Sequence, residues 1–526
     1  MSYPLLDFEG IIARLEARFL QTFLTLGDLP DPYQLKDMHR AVDRIVQAIK
    51  KHQNITVVGD YDVDGVMATA IIKIFFEEIK YPLQTIIPDR FSDGYGLSPS
   101  VLDRIEDADL IITVDNGISA VDAAMICKNR DIDLIITDHH IPPDILPDAY
   151  AIIDQKQSDC TFPYEEICGA QIAWYLCAAL NRQLDTKIDM KDYLDITSIA
   201  IIADMMPLTD INRVMVQAGL QQFARSDRAS IKAYREAHPK HHYSSEDIAF
   251  GIAPMINSAG RLQDASVALD FVTSHNIYEA RVGLERLTEL NNKRKYMEQK
   301  VTEEAIAMVD PKAKIIVVAK DGWHEGVVGI VAARLSRQYE RPAIVLARNN
   351  NICKGSGRSW KECHLYHLLA LQRDRLDKFG GHKSAIGMSI DCDKLDEFVA
   401  RLQDDALKNC AEDDGIDLDI IGELPFGMIE SGLLRMLERF EPFGQGNPKP
   451  KFITKAVTIS SLNTMGKENN HLRFTFESDR RYLQGVQFRN TNKYQIGTKV
   501  DIIYTINEND FRGETTIQLM VEKINR

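Results

Sequence analysis

The chain has 526 residues, 45% hydrophobic and 26% charged, with a net charge of −15. That length exceeds what one hydrophobic core supports, and the composition excludes a disordered chain, so three or more folded domains are expected. No apolar run reaches bilayer-spanning length, and the start, Met1-Ser-Tyr-Pro-Leu-Leu-Asp-Phe-Glu9, has no basic leader pattern, which points to the cytoplasm.

Residues 1–45 read as a helical lead-in of mixed charge. From Ile55 a repeating pattern begins, in which a β-branched run leads into an Asp- or Gly-rich turn and then a helix. Ile55–Val58 precedes the turn at 60–65, and Val66–Ile79 reads as a helix. Leu110–Val114 precedes Asp115-Asn-Gly117, and Leu134–Thr137 precedes Asp138-His-His140. Ile196–Ile202 is expected as a further strand running into Asp204. Near-continuous apolar strands alternating with helices predict an α/β fold for residues 46–215, with a parallel sheet covered on both faces. Ligands of such sheets bind beyond the carboxyl ends of the strands.

Residues 216–310 read as helical and close with a charged, proline-free connecting helix over Leu284–Met308. A smaller α/β domain is expected over 311–408, opening on Lys314-Ile-Ile-Val-Val-Ala319. The acidic stretch Glu412–Asp419 reads as part of a linker, 409–440. Residues 441–526 alternate short β patterns with turns, which predicts a β-barrel of the OB type. This last domain has 13 Lys/Arg against 9 Asp/Glu, a net +4, and leaves −19 on residues 1–440. Global acidity therefore does not exclude a polyanionic partner, because a local basic track and bound cations can supply the field. The eight cysteines, 127, 160, 168, 177, 353, 363, 392 and 410, contain no Cys-x-x-Cys pair. They read as thiols in a reducing compartment.

Gly59-Asp-Tyr-Asp-Val-Asp-Gly65 places Asp60, Asp62 and Asp64 in one turn, where mutual repulsion calls for a cation. A calcium loop of the EF-hand kind opens with a similar pattern, but its twelfth position needs Glu, and here that position is Ile71. Asp115, Asp138, His139 and Asp204 extend the set. Hard oxygen donors suit Mg²⁺ or Mn²⁺, and the added imidazole tilts the choice toward Mn²⁺. Two such ions at Asp60, Asp62, Asp64, Asp115, His139 and Asp204, with Asp115 shared, could activate water and clamp a scissile phosphate. Asp138 would then orient the histidine pair, and His140 would stabilise charge on the phosphoryl oxygens.

The Asp-rich turn, Val114-Asp-Asn-Gly117, Asp138-His-His140 and Ala203-Asp204 resemble the four motifs of the DHH phosphoesterase superfamily. Six further stretches narrow the resemblance. They are Pro88–Ser98, Pro254–Arg261, Gly322–Arg334, Lys354–Ser359, Phe379-Gly-Gly-His382 and Glu441-Pro-Phe-Gly-Gln-Gly-Asn-Pro448. Over residues 45–526 the chain is similar to the RecJ family of bacterial single-stranded-DNA exonucleases. Its departures are Ile153-Asp-Gln155, where relatives often carry Asn-Pro, and Met67. The resemblance implies a DHH domain, a DHHA1 domain and an OB fold, the first two facing across a narrow channel. It implies 5′→3′ hydrolysis of single-stranded DNA to 5′-mononucleotides in recombination and repair, by a monomer. A single-stranded-DNA-binding protein and a helicase are the further partners it suggests.

Gly355-Ser-Gly-Arg-Ser359 reads as a glycine-rich loop in which Ser356 and Arg358 could hold phosphate oxygens. Gly322-Trp-His-Glu-Gly326 precedes a helix start suited to an anion, with His324 beside it. The family resemblance implies that Arg90, Ser356 and Arg358 bind a 5′-terminal phosphate while Asn257, Arg261 and His382 contact the strand. In the tail, Phe474, Phe476, Tyr482, Phe488 and Tyr504 divide between barrel core and base stacking, among Arg480, Arg481 and Arg489. Two other readings are a phosphodiesterase for a small substrate, which needs no OB-like tail, and a non-catalytic scaffold, which would lose ligands.

Overall fold

The computed structural model describes residues 3–19, 24–361, 363–381, 383–410, 420–466, 471–488, 493–511 and 514–525. It divides into two compact units, one of Met1–Ile86, Gly96–Ala253 and Ile416–Arg526, the other of Ile87–Tyr95 and Pro254–Gly415. Among the described residues no helix is long and apolar enough to cross a membrane.

In the first unit, helices α1 (Phe8–Glu16) and α2 (Met38–Lys50) precede a sheet of five strands. These are β1 (Ile55–Val58), β2 (Gln84–Ile86), β3 (Leu110–Val114), β4 (Asp133–Thr137) and β5 (Ala151–Ile153). Their order is β2-β1-β3-β4-β5, and every neighbouring pair is parallel. Strands β1, β3 and β5 are buried along their whole length, as their unbroken apolar sequences require. Helices α3 (Val63–Glu78), α4 (Pro99–Leu102) and α5 (Val121–Asn129) connect the strands. Strand order reverses between β1 and β3, so the Asp-rich turn and Asp115 lie at the switch point where such sheets bind ligands.

Five helices follow: α6 (Gly169–Leu184), α7 (Leu194–Ala203), α8 (Asp210–Arg225), α9 (Ala229–Ala237) and α10 (Ser245–Asp247). The expected strand at Ile196–Ile202 is instead part of α7. Residues Leu194–Ile202 are all buried, so the helix is covered on every side and its sequence lacks a solvent-facing polar stripe.

A π-helical turn, Ile248–Ile252, leads into α11 (Ala253–Leu262), α12 (Ser266–Val272) and the 31-residue α13 (Ile277–Ala307). Then come β6 (Ile316–Asp321), α14 (Glu325–Tyr339), β7 (Ala343–Asn349), β8 (Ile352–Arg358), α15 (Leu365–Ala370), β9 (Lys378–Gly381), β10 (Ala385–Asp391) and α16 (Leu395–Asn409). The sheet order is β6-β7-β8-β10-β9, with β6 and β7 parallel and the remaining pairs antiparallel. Val301 and Ala305 of α13 pack with Val327, Val331 and Leu335 of α14, so the connecting helix belongs to this core.

Two expectations are corrected here. Gly355–Arg358 is not a loop but the second half of β8, a central strand between β7 and β10. A Cβ on Gly355 would stand 2.0 Å from the Val345 carbonyl oxygen, so the glycine serves close strand packing. Nor are all eight cysteines thiols: Cys353 is bonded to Cys392 and Cys363 to Cys410, with Cα separations of 5.2 and 4.7 Å. The β8–β10 pairing brings the first pair together. Cys127, Cys160, Cys168 and Cys177 are free.

The first unit also contains β11 (Ile420–Glu423), α17 (Ser431–Glu438), β12 (Lys451–Met465), β13 (His471–Ser478), β14 (Arg481–Gln487), β15 (Lys499–Phe511) and β16 (Glu514–Asn525). The order β12-β13-β14-β16-β15 closes through a β12–β15 pairing into a five-stranded barrel, and β11 adds to β12. Phe452, Phe474, Phe476 and Tyr504 fill it, whereas Tyr482 and Phe488 are exposed. Arg489 and the acidic stretch Glu412–Asp419 lie outside the described residues. Residues 420–440, expected as linker, contribute Phe426, Leu433 and Leu437 to the barrel core, and the lead-in helix α1 contributes Ile11 and Leu15.

Candidate active site

Each acidic motif of the first unit sits just past a buried element. Asp62 caps α3, its Oδ1 accepting from the amides of Asp64 and Gly65 at 2.9 and 3.2 Å. Asp115 follows β3 with φ +61°, a left-handed backbone uncommon outside glycine and frequent at functional sites. Asp138 follows β4. Asp204 does not end a strand but caps the C-terminus of α7.

These turns bring the expected ligands together. Asp60, Asp62 and Asp115 form one trio, Asp64, His139 and Asp204 a second, and Asp115, His139 and His140 a third, with donor atoms within 4.8 Å in each. Nε2 of His139 stands 3.1 Å from Asp115, 3.6 Å from Asp64 and 3.8 Å from Asp204. Asp138 turns the other way: Nδ1 of His140 is 2.7 Å from its Oδ1, so among side chains it orients His140.

Residues that sequence reasoning missed hold the cluster in place. The first amides of α6, Gly169 and Ala170, donate to Asp64 Oδ2 and Oδ1 at 2.6 and 2.8 Å. A helix N-terminus thus stabilises a buried carboxylate. A Cβ on Gly169 would lie 2.5 Å from that of Asp115, so no larger residue fits there. The small-residue turn Cys168-Gly-Ala before an apolar helix was the available signal. Asp154, fully buried, is a further acid beside the site; burial first, then Asp138, raises its pKa to about 7.

The electrostatics of the cluster follow from its burial and its crowded charges. Burial, and then the charges of Asp64, Asp62, Asp60 and Asp204, push the Asp115 carboxyl well above its ordinary range. Burial and Asp64 raise Asp204 to about 9, and the same two causes raise Asp62. Oδ2 of Asp204 is buried with no hydrogen-bond donor. Burial pulls His139 down to about 4, leaving the neutral imidazole that metal ligation needs. His140 is also pulled down by burial, but its Asp138 hydrogen bond and charge outweigh this and lift it to about 9. Buried carboxylates around a neutral imidazole fit a divalent cation, whose charge would reverse the penalty.

The expected phosphate residues lie in the second unit, which takes in Arg90 through the segment Ile87–Tyr95. Arg358 Nη1 donates to Ser356 Oγ at 2.8 Å, and that hydroxyl donates to the Ile386 carbonyl at 2.8 Å. Burial lowers the Arg358 pKa. Above them is Gly329 of α14, where a Cβ would be 3.3 Å from Ser356 Oγ. His324 caps α14, its Nδ1 accepting from Gly326 at 3.0 Å, and Arg261 donates to the Gly326 carbonyl at 3.2 Å. Phe91, not singled out in the sequence, meets the His324 ring edge-on at 5.5 Å. Asn257 lies on α11. His382 lies outside the described residues.

A parallel sheet with clustered carboxylates and imidazoles at its switch point, a second α/β unit and a barrel define a metal-dependent phosphoesterase of the DHH kind. Three family matches agree: the DHH family N-terminal domain over residues 54–201, the DHHA1 domain over 312–408 and the RecJ OB domain over 420–523. The single-stranded-DNA-specific exonuclease RecJ of Haemophilus influenzae is 31% identical, over 95% of this chain and 92% of its own length. The Escherichia coli protein of that name is 31% identical over 93% and 90%. The Bacillus subtilis one is 34% identical over 94% of this chain, which spans 64% of that longer relative. The crystal structure of RecJ from Thermus thermophilus in complex with Mn²⁺ superimposes with a TM-score of 0.82. It is 26% identical, over 94% of this chain and 72% of its own. The chain belongs to the RecJ family of single-stranded-DNA-specific exonucleases.

Proposed function

We propose that this chain is a divalent-metal-dependent 5′→3′ exonuclease that degrades single-stranded DNA to 5′-mononucleotides in recombination and repair. The observation that carries the reading is the set of three donor trios linked through Asp115 and His139, each of which belongs to two of them. Asp60, Asp62 and Asp115 would hold one Mn²⁺ or Mg²⁺, and Asp64, His139 and Asp204 the other, with Asp115 common to both. Bound there, the ions would supply Lewis-acid activation of water and of the phosphodiester. His140, kept protonated by Asp138, offers a cationic donor to the phosphoryl oxygens. Asp115 and Asp138 hold these groups in place from the ends of adjacent strands.

Recognition of the strand end is assigned to the second unit. A terminal phosphate carries more charge than an internal one, and Arg358, braced by Ser356, with Arg90 supplies a matching cationic fork. Asn257, Arg261, His324 and His382 are proposed to contact the strand, and exposed Tyr482 and Phe488 on the barrel to stack bases. The enzyme is taken to act as a monomer in the cytoplasm, with a single-stranded-DNA-binding protein and a helicase as partners.

The test is degradation of 5′-labelled single strands with and without Mn²⁺. Release of 5′-mononucleotides by the wild type and none by Asp115→Ala is expected; nucleoside 3′-phosphates would exclude the attack geometry. Arg358→Ala is expected to weaken binding of 5′-phosphorylated strands more than 5′-hydroxyl strands. Equal loss on both would make Arg358 a general backbone contact.

A further inference from the structure

Asp204 is the most exposed of the carboxylates around His139, with 28% of its side chain accessible against 1% for Asp64 and 3% for Asp115. Its amide donates to the Ala200 carbonyl at 2.9 Å at the end of α7, and it opens the segment Asp204–Thr209 between α7 and α8, so the anchors of that segment also bear on its carboxylate. Met205 is exposed, with a left-handed φ of +56°.

Two anchors lie beyond it. Asn212 Nδ2 donates to the Pro207 carbonyl at 3.0 Å, and its Oδ1 accepts from Gln171 Nε2 at 2.9 Å. Gln171 Oε1 in turn accepts from the Cys168 amide at 3.0 Å, at the turn that grips Asp64. The other anchor comes from far along the chain. The amide of Leu208, a buried residue, donates to the Gln445 carbonyl at 2.7 Å. Gln445 belongs to Glu441-Pro-Phe-Gly-Gln-Gly-Asn447, a stretch to which the reading above gives no task.

That stretch is a firmly built turn. Asn447, fully buried, donates to the carbonyls of Phe440 and Pro442 at 2.8 and 2.9 Å. From α8, Arg213 donates to the carbonyls of Arg439 and Glu441 at 2.9 and 3.1 Å, and Gln217 to Glu441 at 2.7 Å. Gly446 has φ +72°, and a Cβ there would stand 3.0 Å from Pro207 Cβ. Any side chain would both strain the turn and press on the Asp204 segment.

We infer that the Glu441–Asn447 turn is a positioning element of the metal site, setting Asp204 through the backbone of Pro207 and Leu208. Gln445, Gly446 and Asn447 are its positioning residues. Because the turn runs into β12, the barrel and the metal site share one rigid joint. The inference rests on Asp204 being a metal ligand.

Its test is Mn²⁺ binding to the full chain, counted by electron paramagnetic resonance of free Mn²⁺, for wild type, Gly446→Ala, Asp204→Asn and the double variant. Gly446→Ala is expected to weaken one of two Mn²⁺ sites about tenfold or more, the range for groups that orient ligands. Asp204→Asn should weaken the same site, and the double variant should bind no worse than Asp204→Asn alone. If Gly446→Ala does not fold by circular dichroism, Gln217→Ala, which removes one hydrogen bond to the turn, takes its place with the same expectation. Wild-type affinity at both sites, or losses that add in the double variant, would make the turn a general stabiliser and overturn the inference. A wild type that binds no Mn²⁺ would instead overturn the metal reading, and the inference with it.

Discussion

Oδ1 of Asp138 lies 2.7 Å from Nδ1 of His140 and also accepts the backbone amides of His139 and His140 at 2.8 and 3.2 Å. Its other oxygen accepts from the Ile118 amide at 2.8 Å. One buried carboxylate therefore shapes the turn after β4 and aims the imidazole that follows it. Asp138→Asn keeps the size but loses the charge that holds His140 cationic. Turnover on labelled single strands is expected to fall about 10–100-fold with Mn²⁺ binding retained. Loss of Mn²⁺ binding would place Asp138 among the ligands instead.

Gly169→Ala tests the seam between α6 and the metal cluster. The added methyl would meet Asp115 Cβ at 2.5 Å and its Cα at 2.8 Å, both on the main-chain side where nothing can swing away. A destabilisation of about 1–3 kcal/mol is expected from overpacking. Turnover should drop more steeply than that, by roughly two orders of magnitude, because Asp115, the proposed shared ligand, is displaced. Chemical denaturation and kinetics on the same preparation check both; near wild-type turnover would mean that Asp115 relaxes freely.

Chelated protein should show a pH dependence that metal removes. Asp204, at about 9 in the folded chain against an ordinary 3.8, holds its proton more tightly when folded. That contribution is complete below about pH 4 and is lost as pH rises through about 9. Asp115, raised by burial and its neighbours, acts in the same direction. The rise in melting temperature on adding Mn²⁺ should therefore grow between about pH 6 and pH 9. An equal rise at both ends of that range would show that these carboxyls do not titrate with folding.

The bonded cysteines can be counted directly. Alkylation of denatured, unreduced protein should label Cys127, Cys160, Cys168 and Cys177 and spare Cys353, Cys363, Cys392 and Cys410. The bridges close separations of 39 and 47 residues, so reduction should cost the second unit on the order of 2–4 kcal/mol for each. Peptide mass spectrometry with eight labelled thiols would refute the pairing.

The clustering of the carboxylates and imidazoles was legible because turn chemistry is local. Three Asp residues between a β-branched run and a helix identify themselves whatever the rest of the chain does. Ile196–Ile202 was not, since a short apolar run buried on all sides carries no period to separate strand from helix. Gly355 and Gly357 suggest a loop until β7, Leu365 and Ile386 are seen to crowd them. The amides of Gly169 and Ala170 left no side-chain trace at all. The role of Phe426, Leu433 and Leu437 in the barrel core depends on segments separated by dozens of residues, which composition cannot register.

Ile11 and Leu15 of α1 are buried with residues such as Phe426, Phe452 and Tyr504, from the other end of the sequence. On the ribosome, that helix emerges roughly four hundred residues before its partners exist, and at about 5–20 residues per second the wait lasts on the order of a minute. Throughout that interval its apolar face is open to chaperones and to neighbouring nascent chains. Removing the barrel would strip the same face bare, so the barrel is not a detachable module of this chain.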